Sequence, residues 1–246
     1  MGLDSQAGKS RIRAALYIDG FNLYHSVNDL GESFLKWCNF WKLGESIIPR
    51  QSEELVRVVF CTAYYPGDHS KKIRHERLVR ALKLVGVETV LGHFSHEDAK
   101  CRDCGSIWQK PTEKATDINL ALSVYDDAVQ DVMDTAYLLT ADTDQAATAK
   151  LFAKRFPGKK LVSVSPPGRT HSQHILSHTP HKIALNREHI ERALFPGLVT
   201  AEGQASVMRP HEYDPPAGYV MWDQRPKPAP KSGAKATVPT AAMPER

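Results

Sequence analysis

The stretch AALYIDGFNLY, residues 14–24, decides the fold of this chain. Its first five residues are apolar, as in a buried strand, and Asp19-Gly20 ends the run before the helical pattern of residues 21–30. Further strand-like runs alternate with helical periodicity along the chain. The runs cover residues 55–64, 87–94, 135–140 and 160–165, and the helical segments cover 70–85, 113–129 and 145–156. This alternation predicts an α/β domain with a mostly parallel sheet and helices on both faces.

Composition limits the classes of function that the chain could have. Its 246 residues are 41% hydrophobic, which supports a sizeable core and excludes disorder throughout. Lys and Arg exceed Asp and Glu by 32 to 28, so contact with nucleic acid would need a local basic patch. No apolar run has the roughly 20 residues that a membrane helix needs. With four cysteines, too few for a disulfide-stapled secreted scaffold of this length, we expect a cytoplasmic protein.

The proline content divides the chain into a folded part and a tail. Half of the 16 prolines follow residue 200, in stretches such as DQRPKPAPK at 223–231. Such a segment buries too little apolar surface to offset its chain entropy. We therefore predict a flexible N-terminus at residues 1–12, one domain at 13–198 and a disordered Pro-rich tail at 199–246. The tail is a candidate binding segment for a protein partner, and the oligomeric state is left open.

Four aspartates occupy related positions at the ends of predicted elements. Asp19 ends the first strand, Asp142 and Asp144 follow the strand at 135–140, and Asp117 opens the helix at 113–129. Because ligands of open α/β sheets bind beyond the carboxyl ends of the strands, we expect these carboxylates to converge. Each one alone could be a turn former or a helix cap. Together they would repel each other unless Mg²⁺ or Mn²⁺ neutralised them, and such ions support phosphodiester hydrolysis.

Three motifs in order resemble the NYN domain, a nuclease family of the PIN-like superfamily. They are YIDGFNLY at 17–24, EKATDIN at 113–119 and LLTADTD at 138–144. The resemblance covers about residues 13–198 and is to a subgroup with a CxxC insertion before the EKxTD helix. It implies a PIN-like, Rossmann-like α/β/α domain of three layers that hydrolyses RNA with Mg²⁺ or Mn²⁺. Gln145 departs from the family, which usually has an apolar residue there.

The resemblance also assigns roles residue by residue. It places four acids in the metal site: Asp19, Asp117, Asp142 and Asp144. Asn22 would orient Asp19 or a phosphate. Thr140 would donate a hydrogen bond to a carboxylate. The expected activity is that of an endoribonuclease.

A second metal site is suggested by Cys101 and Cys104, which form half of a structural zinc site. His93 and His96 stand just upstream, and their spacing would complete a Cys₂His₂ set for Zn²⁺. Two free thiols or a redox pair are the alternatives for these cysteines.

The predicted helix at 70–85 is basic, with only one acid, Glu76. The candidate RNA-binding residues on it are Lys71, Lys72, Arg74 and Arg77. They could neutralise phosphates, or they could form a solvated helix face. Tyr64 and Tyr65, at the end of the second strand, could stack on bases or form the edge of the core.

Two other functions compete with RNA hydrolysis. One is a non-catalytic RNA-binding or regulatory module that keeps the fold and its acids as a scaffold. The other is a DxD-type, metal-dependent glycosyltransferase, since Asp142-Thr143-Asp144 fits that pattern. The glycosyltransferase hypothesis does not explain the Asp19–Asn22 motif or the EKxTD helix.

Overall fold

The computed structural model describes residues 11–226. The strands are β1 (Ile12–Asp19), β2 (Glu53–Thr62), β3 (Glu88–Leu91), β4 (His93–Lys100), β5 (Ile107–Lys114), β6 (Thr135–Leu139), β7 (Lys160–Ser165), β8 (Lys182–Ala184), β9 (Leu198–Val199) and β10 (Val207–Met208). The α-helices are α1 (Gly20–Asn28), α2 (Phe40–Ile47), α3 (His69–Leu84), α4 (Thr116–Val129), α5 (Ala146–Arg155), α6 (Gln173–Leu176) and α7 (Arg187–Arg192).

β1 is a central strand of a six-stranded sheet that is buried on both faces. Its residues alternate between two apolar cores: Leu16 and Ile18 join one, and Ala15 and Tyr17 join the other. Helices α1, α2, α3 and α7 contribute to the first core, and α4, α5 and α6 to the second. Fully burying a side chain such as Leu16 contributes about 1.5–3 kcal/mol. The predicted α/β class, with helices on both faces of the sheet, is therefore confirmed.

The order of the strands creates a crevice beside β1. The sheet runs β3-β2-β1-β6-β7-β8, and all of its pairings are parallel. The chain first winds outward from β1 through β2 to β3 and then returns to place β6 on the other side of β1. Such a reversal is a topological switch point, where open α/β sheets bind ligands at the carboxyl ends of the strands.

Gly20 allows the tight passage from β1 into α1. A Cβ atom at this position would lie 2.5 Å from the carbonyl oxygen of Cys61 on the neighbouring strand. Any side chain would therefore push α1 away from the sheet. The helix begins directly after Asp19, whose carboxylate accepts a hydrogen bond from the N–H of Asn22 as its N-cap.

An antiparallel hairpin differs from the sequence prediction. We expected a strand at 87–94 and a helix from residue 113. Instead β3 ends at Leu91, and an antiparallel hairpin of β4 and β5 follows β3 and precedes α4 along the chain. The helix then begins only at Thr116. Most hairpin side chains are partly or fully exposed on both faces, so the hairpin has no apolar alternation that would reveal a strand.

The prediction of a disordered tail is wrong for residues 199–226. Val207 and Tyr213 are buried against the domain, and Arg225 forms an ion pair with Glu191 at 2.8 Å. Apolar and aromatic residues between the prolines supply the surface that packs. Residues 227–246 of that tail and 1–10 of the predicted flexible N-terminus lie outside the described residues, whereas Ile12 belongs to β1. Among the described helices, none has the length and apolar character needed to cross a membrane.

Candidate metal centre

Three of the four predicted acids meet at the switch point. Asp19 ends β1, Asp117 lies in the first turn of α4, and Asp142 follows β6. Each offers a carboxylate oxygen, and these oxygens lie within 4.8 Å of one another. Asp144 is not part of this group: it is exposed, and its N–H donates to Oδ1 of Asp142 at 2.9 Å. We call Asp19, Asp117 and Asp142 the metal cluster.

Hydrogen bonds hold Asp19 in place. Its Oδ1 accepts from the N–H of Asn22 at 3.0 Å, and its Oδ2 accepts from the hydroxyl of Thr140 at 2.8 Å. The Thr140 oxygen in turn accepts from the N–H of Asp142 at 3.0 Å. The predicted bond from Thr140 to a carboxylate is therefore present, and this single buried hydroxyl sets the spacing between Asp19 and Asp142.

The side chain of Asn22 does not bond Asp19, although it was expected to orient Asp19 or a phosphate. The backbone N–H of Asn22 bonds Asp19, but its side-chain oxygen accepts from the N–H of Ala141 at 3.0 Å. The side chain therefore ties the first turn of α1 to the loop after β6. Asn22 stabilises the loop that carries Asp142 and orients Asp19 only through the backbone.

Asp117 is positioned by two residues to which sequence reasoning assigned no role. Glu113 accepts from the N–H of Thr116, the first residue of α4, at 2.8 Å, whereas the N-cap residue Ala115 offers no side-chain bond. Gln145 is buried, and its side-chain amide donates to the carbonyl of Asp117 at 3.1 Å. Gln145 thus links α4 to the start of α5. The contact between Glu113 and Thr116 could have been suspected from their three-residue spacing in the sequence. The contact between Gln145 and Asp117 leaves no local pattern in the sequence.

The metal cluster is electrostatically uncompensated. Within residues 11–226, no salt bridge reaches Asp19, Asp117 or Asp142. Burial raises the pKa of Asp19 despite its hydrogen bonds from Asn22 and Thr140. Burial also raises the pKa of Asp117 to about 6, and the charges of Asp19 and Asp142 add to the effect. A divalent cation would relieve this repulsion, and an all-oxygen donor set suits Mg²⁺ or Mn²⁺.

An open cavity of about 480 Å³ lies above the cluster. Besides the acids, its walls include Phe21, His25 and Arg169, which the sequence analysis did not select. Arg169 comes from the loop after β7 and pairs with Asp29 at 2.5 Å, so it is held at the cavity rim. A guanidinium beside a cation site can contact an anionic ligand. No local pattern in the sequence marks Arg169.

The hairpin separates the four predicted zinc ligands. His93 pairs with Lys114 at the base of the hairpin, His96 pairs with Pro111, and the cysteines lie at the tip. At about 3.3 Å per residue, Cys101 lies about 16 Å beyond His96 along the strand. The Cys₂His₂ prediction is therefore wrong, because these residues cannot share one ion in this structure.

The two cysteines are still close to each other. Hydrogen bonds from Ser106 and Cys101 lower the pKa of Cys104 to about 7. A four-coordinate zinc ion at the tip would need two ligands besides these cysteines. Whether this tip binds Zn²⁺ stays a prediction.

Three of the four candidate RNA-binding residues line a second cavity next to the first. Lys71, Lys72 and Arg74 belong to its wall, and Arg74 pairs with Glu212 at 2.9 Å. Arg77 lies further along α3 and is not among the lining residues. Part of the basic face of α3 thus borders this second cavity.

Comparisons with known proteins give a distant relative and weak structural likenesses. No family model matches the chain. The chain is 25% identical to 6-hydroxy-3-succinoylpyridine 3-monooxygenase from Pseudomonas putida, with 69% of this chain aligned, and it spans 64% of that protein's length. A solved protein of unknown function from Vibrio parahaemolyticus is 17% identical with a TM-score of 0.48, covering 73% of this chain and 96% of that one. A hypothetical protein from Neisseria gonorrhoeae, solved with bound ppGpp, has 9% identity and a TM-score of 0.22, covering 72% and 86%.

Proposed function

We propose that the protein is a Mg²⁺- or Mn²⁺-dependent endoribonuclease. The observation that carries the proposal is the metal cluster: three carboxylates within 4.8 Å of one another, at the switch point of a parallel sheet, with no cationic partner in the described chain. We assign the fold more finely to the PIN-like type. The three motifs that suggested it contain the three acids of the metal cluster, which supports this assignment.

The residues of the centre have distinct tasks in this proposal. Asp19, Asp117 and Asp142 would hold the cation, which when bound activates water and stabilises charge on phosphate oxygens. Thr140 and Asn22 keep the carboxylates apart at a fixed spacing, and Arg169 at the cavity rim is placed to contact a phosphate. In the reaction, an oxygen–phosphorus bond forms to water, the bond to one ribose oxygen breaks, and that oxygen receives the proton.

RNA is favoured over a small phosphate ester by the surroundings of the centre. Lys71, Lys72 and Arg74 line the adjoining cavity, so positive charge lies beside the metal cluster. A polyanion that extends away from the reacting phosphate would meet these side chains. The binding should therefore weaken as the salt concentration rises.

Cleavage of labelled single-stranded and hairpin RNA by the purified chain tests the proposal. We expect cutting with Mn²⁺ or Mg²⁺, none with EDTA, and a loss of at least about 1,000-fold in Asp142→Asn, because several kcal/mol of transition-state stabilisation depends on the ion. Asp134→Asn is the matched control: it removes an aspartate at the opposite edge of the sheet, and its cleavage should equal that of the wild type.

Other outcomes would support the alternatives. RNA binding without cleavage, unaffected by EDTA, would favour a non-catalytic RNA-binding module. Equal activity in wild type and Asp142→Asn would identify a contaminating nuclease and contradict the proposal. Manganese-dependent binding of a nucleotide sugar, with no binding of RNA, would favour the glycosyltransferase alternative.

The relative from Pseudomonas putida suggests a second candidate, an oxygenase of aromatic heterocycles. Its name describes oxygenation of a hydroxylated pyridine, and the cavity beside the metal cluster of this chain has several aromatic walls. The name places the succinoyl group on ring carbon 3, so oxygenation there would form a C–O bond to one atom of O₂ and break the bond to the succinoyl carbon, which would leave as an aldehyde. The other oxygen atom would become water, and two molecules of NADH or NADPH would supply the four electrons. Oxygen uptake coupled to NADH oxidation in the presence of 6-hydroxy-3-succinoylpyridine would support this candidate. A rate unchanged by that compound would exclude that compound as the substrate.

A further inference from the structure

A large second cavity adjoins the metal centre. It has a volume of about 770 Å³ and lies between α1, α3, the end of β2 and the base of the hairpin. Phe21, His25 and Glu113 line both this cavity and the one above the metal cluster. We call this second cavity the side cavity. A chemical group bound in it would lie directly beside, or be bonded to, the group that the metal cluster holds.

Aromatic rings form the wall nearest to the metal centre. Phe94, at the base of the hairpin, packs edge-to-face on Phe21 with centroids 6.0 Å apart and on Tyr65 with centroids 5.5 Å apart. All three rings line the side cavity, and Phe94 and Tyr65 are partly exposed. Rings held in this way by one another offer fixed surfaces for a planar heterocycle.

The rim of the side cavity is positively charged. Lys36, Lys71 and Arg74 come from different parts of the chain and lie near one another. Burial lowers the pKa of Lys36, and the charges of Arg74 and Lys71 lower it further. Glu212 pairs with Arg74 at 2.9 Å, and Asp68 lies 3.7 Å from Lys71. The rim thus has a surplus of cations that suits a chain of phosphates.

The interior of the side cavity is mainly apolar and includes a neutral histidine. His75 is placed 3.2 Å from the hydroxyl of Thr62, and burial lowers the pKa of His75 to about 4, so the ring is neutral near pH 7. Leu23, Phe60 and Leu78 supply apolar surface around it. A phosphate would be poorly accommodated here, whereas a neutral ring with hydrogen-bonding edges would fit.

We propose that the side cavity binds the base of the nucleotide adjoining the scissile phosphate of single-stranded RNA. This inference rests on the proposed ribonuclease function. The base stacks against Phe94 and Tyr65, its phosphate lies at the metal cluster, and the next phosphates contact Lys71 and Arg74. A base within a duplex is stacked and paired, so it must leave the helix to enter. The enzyme therefore prefers single strands and depends on a base at one defined position.

An abasic scan combined with a cavity variant tests the inference. The substrates are single-stranded RNAs that each carry one abasic nucleotide, at a different position near the cleavage site. We measure kcat/KM for their cleavage by the wild type and by Phe94→Leu. In wild type we expect one position where loss of the base lowers kcat/KM by about 10- to 100-fold, as for one base–aromatic stack. Phe94→Leu should lower the rate on intact RNA similarly and show no further loss at that position.

Matched variants separate binding from folding. Trp108→Leu replaces an aromatic residue on the same hairpin that is 50% exposed and does not line the side cavity, so its abasic profile should equal that of wild type. Tyr65 lines the side cavity from the segment after β2, outside the hairpin. Tyr65→Leu should therefore have the same effect as Phe94→Leu, even if Phe94→Leu also disturbs the hairpin. An abasic penalty that persists in both cavity variants would overturn the inference.

A binding measurement distinguishes failure of the inference from failure of the proposed function. If wild type cuts no RNA, the affinities of Asp142→Asn for intact and abasic RNA still report on the cavity. A loss of affinity at one abasic position, abolished by adding Phe94→Leu, would keep the base-binding assignment. Equal affinities would overturn it. Thermal stabilisation by 6-hydroxy-3-succinoylpyridine that Phe94→Leu removes, without any dependence on an RNA base, would assign the cavity to a small ring compound instead.

Discussion

Two clusters of aspartates lie at opposite edges of the same sheet and differ in their partners. The metal cluster, at the carboxyl ends of the strands, has no ion pair in the described chain. Asp127, Asp131 and Asp134 lie at the other edge, and we call them the paired cluster. Asp127 lies 2.8 Å from Nε of Arg57, and Arg13 pairs with Asp131 at 3.0 Å and with Asp134 at 2.7 Å.

The partners reverse the direction of the pKa shifts. The hydrogen bond from Arg13 is the main cause that lowers the pKa of Asp134 to about 2. In the metal cluster, burial and the neighbouring carboxylates raise the pKa of Asp117 to about 6. The same residue type is therefore stabilised as an anion at one edge and destabilised at the other.

This difference separates structural acids from a candidate functional site. The paired cluster holds β1 and the residues just before β6 together, and its charges are satisfied within the chain. The metal cluster retains repulsion that an external cation would relieve, and such strain is retained at sites where a ligand uses it. Counting acids does not reveal the distinction, because it depends on which cations lie beside them.

The largest expected effect comes from exchanging one acid in each cluster. Asp19→Asn should lower Mn²⁺ affinity by more than about 100-fold, because losing a ligand costs more than losing its supporting hydrogen bond. Asp127→Asn should leave Mn²⁺ affinity unchanged but lower the free energy of unfolding by about 2 kcal/mol, since it removes a buried carboxylate that accepts from Tyr17 and pairs with Arg57. Calorimetric titration and urea unfolding of both variants measure these effects. Comparable Mn²⁺ binding by Asp19→Asn and wild type would contradict the comparison.

Thr140 offers the next largest effect. Thr140→Val removes the hydroxyl that donates to Asp19 and accepts from Asp142, and we expect Mn²⁺ affinity to fall by about 10- to 100-fold. Thr140→Ser keeps the hydroxyl and should restore most of the affinity. If valine and serine variants bind Mn²⁺ alike, the hydroxyl has no role in positioning the ligands.

Acidification should weaken the metal cluster and spare the paired cluster. A carboxyl group must lose its proton to bind the ion, so Mn²⁺ affinity should fall about tenfold per pH unit below about pH 6, where Asp117 becomes protonated. Asp134, with a pKa of about 2, stays ionised throughout this range. Titrations at pH 7, 6 and 5 check the prediction. A constant affinity from pH 7 to 5 would show that Asp117 is not a ligand.

The smallest effects are opposite changes in the stability of the metal-free protein. The folded pKa of Asp117 lies above its unfolded value of 3.8, so ionisation destabilises the fold as pH rises through about 6. Asp117→Asn should therefore stabilise by about 1 kcal/mol at pH 7.5, after allowing for solvent screening of a half-exposed group. Asp134 has a depressed folded pKa, and its contribution is present above pH 3.8 and lost as pH falls through about 2. Asp134→Asn should destabilise by a similar amount.

Thermal unfolding in EDTA measures both variants under the same conditions. A change of about 1 kcal/mol corresponds to a shift in Tm of about 2–4 °C for a domain of this size. Shifts of the same sign in Asp117→Asn and Asp134→Asn would remove the proposed electrostatic difference between the clusters.

The convergence of the metal cluster was predictable because the relevant signals are local. Buried strands reveal themselves by apolar runs, and Asp19 and Asp142 directly follow such runs. Parallel pairing then places both residues at one edge, whatever the details of packing. The hydrogen bond of Thr140 was expected only from the resemblance of the motif at 138–144.

Other features depended on contacts between segments far apart in the chain. Asp127, late in α4, is buried and accepts a hydrogen bond from Tyr17 at 2.7 Å. Nothing near Asp127 in the sequence indicates that partner, 110 residues away. The Cys₂His₂ prediction was wrong for a related reason, because residues that are neighbours in sequence along an extended strand lie far apart in space.

The sequence by itself determined the alternating α/β pattern and the acids at the strand ends, because apolar periodicity and strand direction are properties of short segments. Only the tertiary structure decided that Asp144 stands outside the metal cluster, that Gln145 supports Asp117 and that residues 199–226 pack on the domain. It also formed the side cavity, whose walls come from α1, β2, α3, the hairpin and the segment around Tyr213. These features arise where distant segments meet, and which segments meet is set by packing of the whole chain.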